Sequence, residues 1–121
     1  MPGPDFEEII MARISTHVLD IARGKPAAGV GVELRFGGVV VAAAVTNRDG
    51  RTDAPLLAGD RIDAGQYELV FQAGEYLKST GTPEPLFFDE IRLQFLVADR
   101  AGNYHVPLLL AAHGYSTYRG S

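Results

Sequence analysis

The sequence predicts an all-β fold, an antiparallel β-sandwich of seven to eight short strands with one short helix. Three observations predict it. Apolar and polar residues alternate with a period of two through much of the chain, as in strands with one face buried. Turn residues recur at intervals of roughly 8–12 positions. Outside the N-terminal leader only Ala73 to Ser79 (AGEYLKS) has the composition of a helix, and it spans two turns at most. An up-and-down barrel is the alternative closure of the same strands.

The elements follow in order. Residues 1–12 read as a leader, because Pro2-Gly3-Pro4 cannot begin regular structure and Phe6 to Ile10 makes at most one helical turn. The domain proper is then 13–121. In the first strand Ile14, Thr16 and Val18 lie on one side, and Ser15, His17 and Leu19 on the other. Ala28-Gly29 precedes a strand in which Val30, Val32, Leu34 and Phe36 alternate with Gly31, Glu33 and Arg35. Gly37-Gly38 is a hairpin turn into Val39–Val45, the longest apolar run. Asn47-Arg48-Asp49-Gly50 is a turn, and Ala64-Gly65 leads into the alternation Tyr67, Leu69, Phe71. After the helix, Gly81-Thr82-Pro83-Glu84-Pro85 forces an extended loop. Ile91, Leu93 and Phe95 form the next alternating strand, and the turn Arg100 to Asn103 opens the last one, Tyr104 to Leu110.

Composition narrows the function. A chain of 121 residues is one domain and can bury roughly two thirds of its unfolded surface. The absence of cysteine excludes disulfides, thiolate nucleophiles, Cys-based zinc sites and iron–sulfur clusters. A net charge of −4 with no basic block disfavours a nucleic-acid or anionic-membrane binder. No apolar run approaches the ~20 residues of a membrane span. The acidic leader lacks the basic start of a secretory signal, so a cytoplasmic location is expected.

The last strand departs from clean alternation. Tyr104, Val106, Leu108 and Leu110 share one face, and His105, Pro107, Leu109 and Ala111 the other, so both faces are mostly apolar. Such an outward face predicts a subunit interface, with His105 on it. Pro107 donates no hydrogen bond, so its nitrogen must fall at an unpaired position or a bulge. His17 on the first strand likewise projects away from the β-branched side. His113, in Ala112-His113-Gly114, is a turn residue with no expected chemistry.

With both ends read, Thr16-His17-Val18-Leu19-Asp20 followed by Gly24-Lys25-Pro26-Ala27 resembles the opening of the 5-hydroxyisourate hydrolases, transthyretin-related enzymes of urate breakdown. Asn47 to Arg51, Tyr104-His105-Val106-Pro107-Leu108-Leu109 and the terminal Tyr118-Arg119-Gly120-Ser121 are similar to their remaining motifs, in order and nearly without gaps from Ile14 to Ser121. The resemblance implies a prealbumin-like β-sandwich assembled as a homotetramer, with sites in a central channel at the dimer–dimer interface. It implies hydrolysis of 5-hydroxyisourate to 2-oxo-4-hydroxy-4-carboxy-5-ureidoimidazoline on the way to allantoin. It places the catalytic residues at His17, Arg51 and His105 and substrate-binding residues at Tyr118, Arg119, Gly120 and Ser121. No cofactor and no metal are implied, and the partner is the small-molecule substrate.

Those residue types suit the reaction. Opening a cyclic amide with water needs a proton acceptor, a stabiliser for the developing oxyanion and a proton for the leaving nitrogen. Imidazole, with a reference pKa near ~6.5, serves at neutral pH. The guanidinium of Arg51 offers paired donors to an oxygen, and Tyr118 can hydrogen-bond or stack on the heterocycle. One of His17 and His105 activates water while the other, with Arg51, orients and polarises the ring; either histidine can be the base. Arg119 is placed to organise the terminus through its backbone or an acidic neighbour. Zinc held by the three histidines is the competing mechanism, and no His-x-His or His-x₃-His spacing favours it. The alternative function is a transthyretin-like carrier of an aromatic small molecule, which has no need of paired imidazoles.

Overall fold

The computed structural model describes residues 11–120; Ser121 and the leader up to Ile10 lie outside the described residues. Two sheets pack face to face. In chain order the elements are β1 (Ala12–Asp20), β2 (Lys25–Pro26), β3 (Gly31–Phe36), β4 (Val39–Val45), β5 (Leu57–Gly59), β6 (Gly65–Phe71), α1 (Ala73–Ser79), β7 (Ile91–Val97), β8 (Asn103–Ala111) and β9 (Gly114–Thr117). One sheet runs β2-β1-β8-β9, with β5 also on β1; the other runs β4-β3-β6-β7. The predicted strands and the helix are all present. Three strands that the sequence did not announce are added: β9, which pairs with β8, and the very short β2 and β5, which patch the free edge of β1 at Leu19–Asp20 and Ala12–Ile14. Ala12 is itself buried and already in β1.

The pairings are antiparallel except one. β1 and β8 run parallel, with Ser15 opposite His105 and His17 opposite Pro107. β1 and β8 are far apart in sequence, so no tight turn has to join them and a parallel pair costs nothing in connectivity.

Alternation decides which side chains fill the sandwich. Ile14 and Val18 of β1 and Leu108 and Leu110 of β8 are fully buried, and they meet Leu34, Leu69 and Phe71 of the facing sheet. Tyr67 stacks between Phe36, at 4.5 Å between ring centroids, and Phe95, at 5.9 Å. α1 closes one end of the core: Tyr76 and Leu77 are buried, and the Tyr76 hydroxyl donates to the Asp20 carboxylate at 2.7 Å. Its Gly74 allows the chain at Phe88–Asp89 to approach, since a Cβ there would lie 3.0 Å from the Phe88 carbonyl oxygen.

The two outer faces differ in kind. That of the β4-β3-β6-β7 sheet carries the ion pairs Arg35–Glu33 and Arg92–Glu68, a solvated surface. That of the β1–β8 sheet carries Ser15, His17 and Leu19 beside His105, Pro107 and Leu109. Among the described residues no helix is long and apolar enough to cross a membrane.

Candidate active site

The outer face of β1 and β8 gathers His17, Arg51, His105 and Gly120 because of register, whereas Tyr118 and Arg119 lie beside Tyr104. His17 pairs with Pro107 on one side and, by an isolated antiparallel bridge, with Arg51 on the other. One step along, Ser15 pairs with His105, and His105 forms a second bridge with Gly120. Directly opposite residues share a face, so the sheet presents two rows: Arg51, His17, Pro107, and beside it Ser15, His105, Gly120. From the strand spacing and rise, the Cα atoms of His17 and His105 are about 8 Å apart on the diagonal.

Arg51 reaches this face through the turn before it. The Asn47 side-chain oxygen accepts from the backbone N–H of Asp49 at 2.9 Å and of Arg51 at 3.3 Å, and the Asn47 amide donates to Asp53 at 3.0 Å. Gly50 lies at φ 74°, where a Cβ would run into the Val18 carbonyl oxygen. Its own carbonyl accepts from Val18 N–H at 2.8 Å, which pins the turn to β1. The Asn-to-Gly turn thus fixes Arg51 opposite His17.

The same turn sets the proton on His17. Its Nε2 lies 2.9 Å from the Asp49 carbonyl oxygen. A carbonyl only accepts, so Nε2 carries the hydrogen, and in the neutral ring the free lone pair is on Nδ1. The pKa of His17 is lowered, first by burial and then by the Arg51 charge, with the Asp49 carbonyl and carboxylate pulling the other way. That of His105 is also lowered, by burial, by Arg51 and by His17. Burial and the guanidinium both disfavour the imidazolium, so both rings are neutral near pH 7, the state a general base requires.

Ser15, which the sequence reading did not single out, contacts His105 directly: Oγ is 2.8 Å from Nδ1. The signal was available, since Ser15 lies on the His17 side of the alternation; its partner depended on the parallel register.

The chain end follows β8. β9 stops at Thr117, opposite Leu108, and the bridge from His105 to Gly120 continues the same register. Pro107 falls in the gap, at the unpaired position expected of it, and its carbonyl accepts from the Thr117 hydroxyl at 2.7 Å. Gly120 N–H donates to the His105 carbonyl at 2.7 Å, and its bare Cα lies against the imidazole. The Arg119 guanidinium sits 4.3 Å from the centroid of the Tyr104 ring and donates to the Asn103 carbonyl at 3.3 Å. It organises the terminus through an aromatic ring and a backbone carbonyl, where an acidic neighbour had been one expectation. Tyr118 is exposed, at the rim of an apolar cleft of about 370 Å³ formed with Leu93, Phe95, Tyr104 and Val106. Ser121 lies outside the described residues.

His113 sits on the β8–β9 turn, its ring 6.1 Å from that of Phe87. Among the described residues no three His, Asp or Glu side chains converge to hold a metal ion. The face can supply two imidazoles, one with a determined tautomer, and a guanidinium beside His17.

Residues 14–120 match the HIUase/Transthyretin family. A 5-hydroxyisourate hydrolase of Mesorhizobium japonicum is 54% identical over 90% of this chain and 92% of its own. The solved Klebsiella pneumoniae 5-hydroxyisourate hydrolase superposes with a TM-score of 0.81 at 37% identity, covering 91% of this chain and 99% of that one. An (S)-allantoin synthase superposes with a TM-score of 0.85 at 39% identity; the match covers 92% of this chain and 44% of the synthase.

Proposed function

Since the chain belongs to the HIUase/transthyretin family and is a hydroxyisourate hydrolase within it, we propose that it opens the six-membered ring of 5-hydroxyisourate with water at His17, Arg51 and His105, giving 2-oxo-4-hydroxy-4-carboxy-5-ureidoimidazoline. Water adds to the ring carbonyl and the acyl C–N bond breaks. The carbonyl carbon becomes the carboxylate of the product, and the nitrogen stays in its ureido group.

The observation that carries this reading is the adjacency on one sheet face of two imidazoles, each with a lowered pKa, and one guanidinium. His17, with a bare Nδ1, is suited to accept the proton of the attacking water. Arg51 stabilises the negative oxygen as the carbonyl carbon becomes tetrahedral. His105 orients the ring by a hydrogen bond, and the departing nitrogen takes up the proton that His17 removed from water. Tyr118 and Gly120 border the substrate. No step needs a metal or an organic cofactor.

The same reading includes a homotetramer whose subunits face each other across these sites. In its support, the histidine face is open in a single chain, and the cleft of about 410 Å³ lies elsewhere, at the Gly37-Gly38 hairpin. Leu19 and Leu109, both half-buried, add apolar surface to that face, while β7 and β9 leave a sheet edge unpaired in each layer. A second subunit supplies the missing wall and shuts out bulk solvent.

The test is direct. Purified protein is added to freshly generated 5-hydroxyisourate, and loss of its ultraviolet band is followed. Acceleration well above spontaneous decay is expected; decay at the spontaneous rate overturns the reading.

A further inference from the structure

We propose that Ser15 is a positioning residue of this site: its hydroxyl fixes His105 in one orientation and, by donating to Nδ1, in the neutral tautomer that carries its proton on Nε2. The inference rests on the reading of His105 as a site residue.

The geometry is that of a ring gripped on both edges. Ser15 stands directly opposite His105 in the parallel β1–β8 pair, with Oγ 2.8 Å from Nδ1. Gly120 stands opposite His105 on the other side, and a Cβ there would be 2.6 Å from Cδ2 and 3.3 Å from Cγ. In an imidazole Nδ1 and Cδ2 are the two atoms bonded to Cγ. Holding both edges leaves Nε2 and Cε1 as the outward end of the ring, and Nε2 as the nitrogen that can meet a substrate. A half-buried serine hydroxyl needs an acceptor for its proton. Nδ1 is the acceptor it has among the described residues. A bond in that direction places the ring hydrogen on Nε2.

The two histidines then have complementary roles set by different partners, a backbone carbonyl and a side-chain hydroxyl. The Asp49 carbonyl takes the Nε2 hydrogen of His17 and leaves that ring a lone pair. The Ser15 hydroxyl occupies the lone pair of His105 and leaves that ring a donor. Ring opening by water uses one of each: an acceptor for the proton of water and a donor that orients the substrate ring. A serine suits the second position because its hydroxyl carries a hydrogen that an acceptor nitrogen can take.

The experiment joins nitrogen NMR to kinetics. In the wild-type protein labelled with ¹⁵N-histidine, the His105 shifts should report protonated Nε2 and unprotonated Nδ1; the opposite pattern, or an equal mixture, overturns the proposal without any variant. Ser15→Ala should shift His105 toward a tautomer mixture and lower kcat about ten- to a hundredfold while KM changes little, and Ser15→Thr, which keeps a hydroxyl, should restore both. If His105→Ala is inactive while Ser15→Ala keeps the wild-type kcat, the Ser15 proposal is overturned and the site reading stands. If His105→Ala keeps full activity, the site reading falls and this proposal with it.

Discussion

Gly120→Ala should damage catalysis far more than folding. The φ of Gly120 lies outside the left-handed region, so alanine is not barred there by its backbone. Its Cβ, however, would be 2.6 Å from Cδ2 of His105, against a favourable separation of about 3.5–4.0 Å, so something must move by about 1 Å. If the chain end lifts, it loses the Gly120 N–H bond to the His105 carbonyl, worth about 0.5–1.5 kcal/mol. If the imidazole swings aside, an off-rotamer angle costs about 0.5–1.5 kcal/mol, and the Ser15 contact goes with it. Either way the stability loss is about 1 kcal/mol, a fall in Tm of about 4 °C. A catalytic group displaced by about 1 Å costs on the order of a hundredfold in rate. Thermal unfolding and initial rates of 5-hydroxyisourate loss, measured on the same preparation, check both figures. A kcat within twofold of wild type would refute the claim that the chain end holds His105 in place.

Other perturbations act on the remaining parts. Arg51→Gln removes the charge that helps lower both histidine pKa values, so the acid limb of the kcat/KM profile should move to higher pH, beneath a large overall loss of rate; an unmoved limb contradicts the electrostatic coupling. The same shifts bear on stability. Because the folded pKa values lie below the unfolded ~6.5, the unfolded chain binds more protons in that window, and stability is lost as pH falls from about 6.5 toward the lowered values. Urea unfolding at stepped pH should show that loss reduced in Arg51→Gln. Gly50→Ala places a side chain at φ 74° and against the Val18 carbonyl, and should cost about 1–3 kcal/mol with most of the activity, read by thermal unfolding and rate. A bulky C-terminal extension should lower the rate of hydrolysis and an N-terminal one should not; equal rates would count against a functional chain end.

Much of this was legible in the sequence, for identifiable reasons. The alternation in Ile14–Leu19 and Tyr104–Leu110 assigned His17 and His105 to outward faces, because strand geometry leaves a side chain only two directions. The helix at Ala73–Ser79 was legible from composition and from the Gly-Pro segment that follows it. Gly50 and Asn47 announced the turn that carries Arg51. Register was not legible. Nothing local states that β1 and β8 pair in parallel with Ser15 opposite His105, since that offset is set by long-range packing of Ile14, Val18, Leu108 and Leu110 in a common core. The lodging of Arg119 over Tyr104 has the same origin, because it requires the chain end to follow β8 past Pro107. β4 was read as a strand from its apolar run, yet it lies at a sheet edge with Val39, Val40, Val41 and Val45 exposed. An apolar run reports strand propensity and does not say which face or edge is covered.

The central claim is that this face of β1 and β8 hydrolyses 5-hydroxyisourate through its histidines. The most direct measurement is the initial rate of 5-hydroxyisourate loss with wild type and His105→Ala at equal concentration, both shown to have the same assembled size. Wild type should accelerate the decay well beyond the spontaneous rate, and His105→Ala should lose most of that acceleration. Equal acceleration by the two proteins would contradict the assignment of the chemistry to this face.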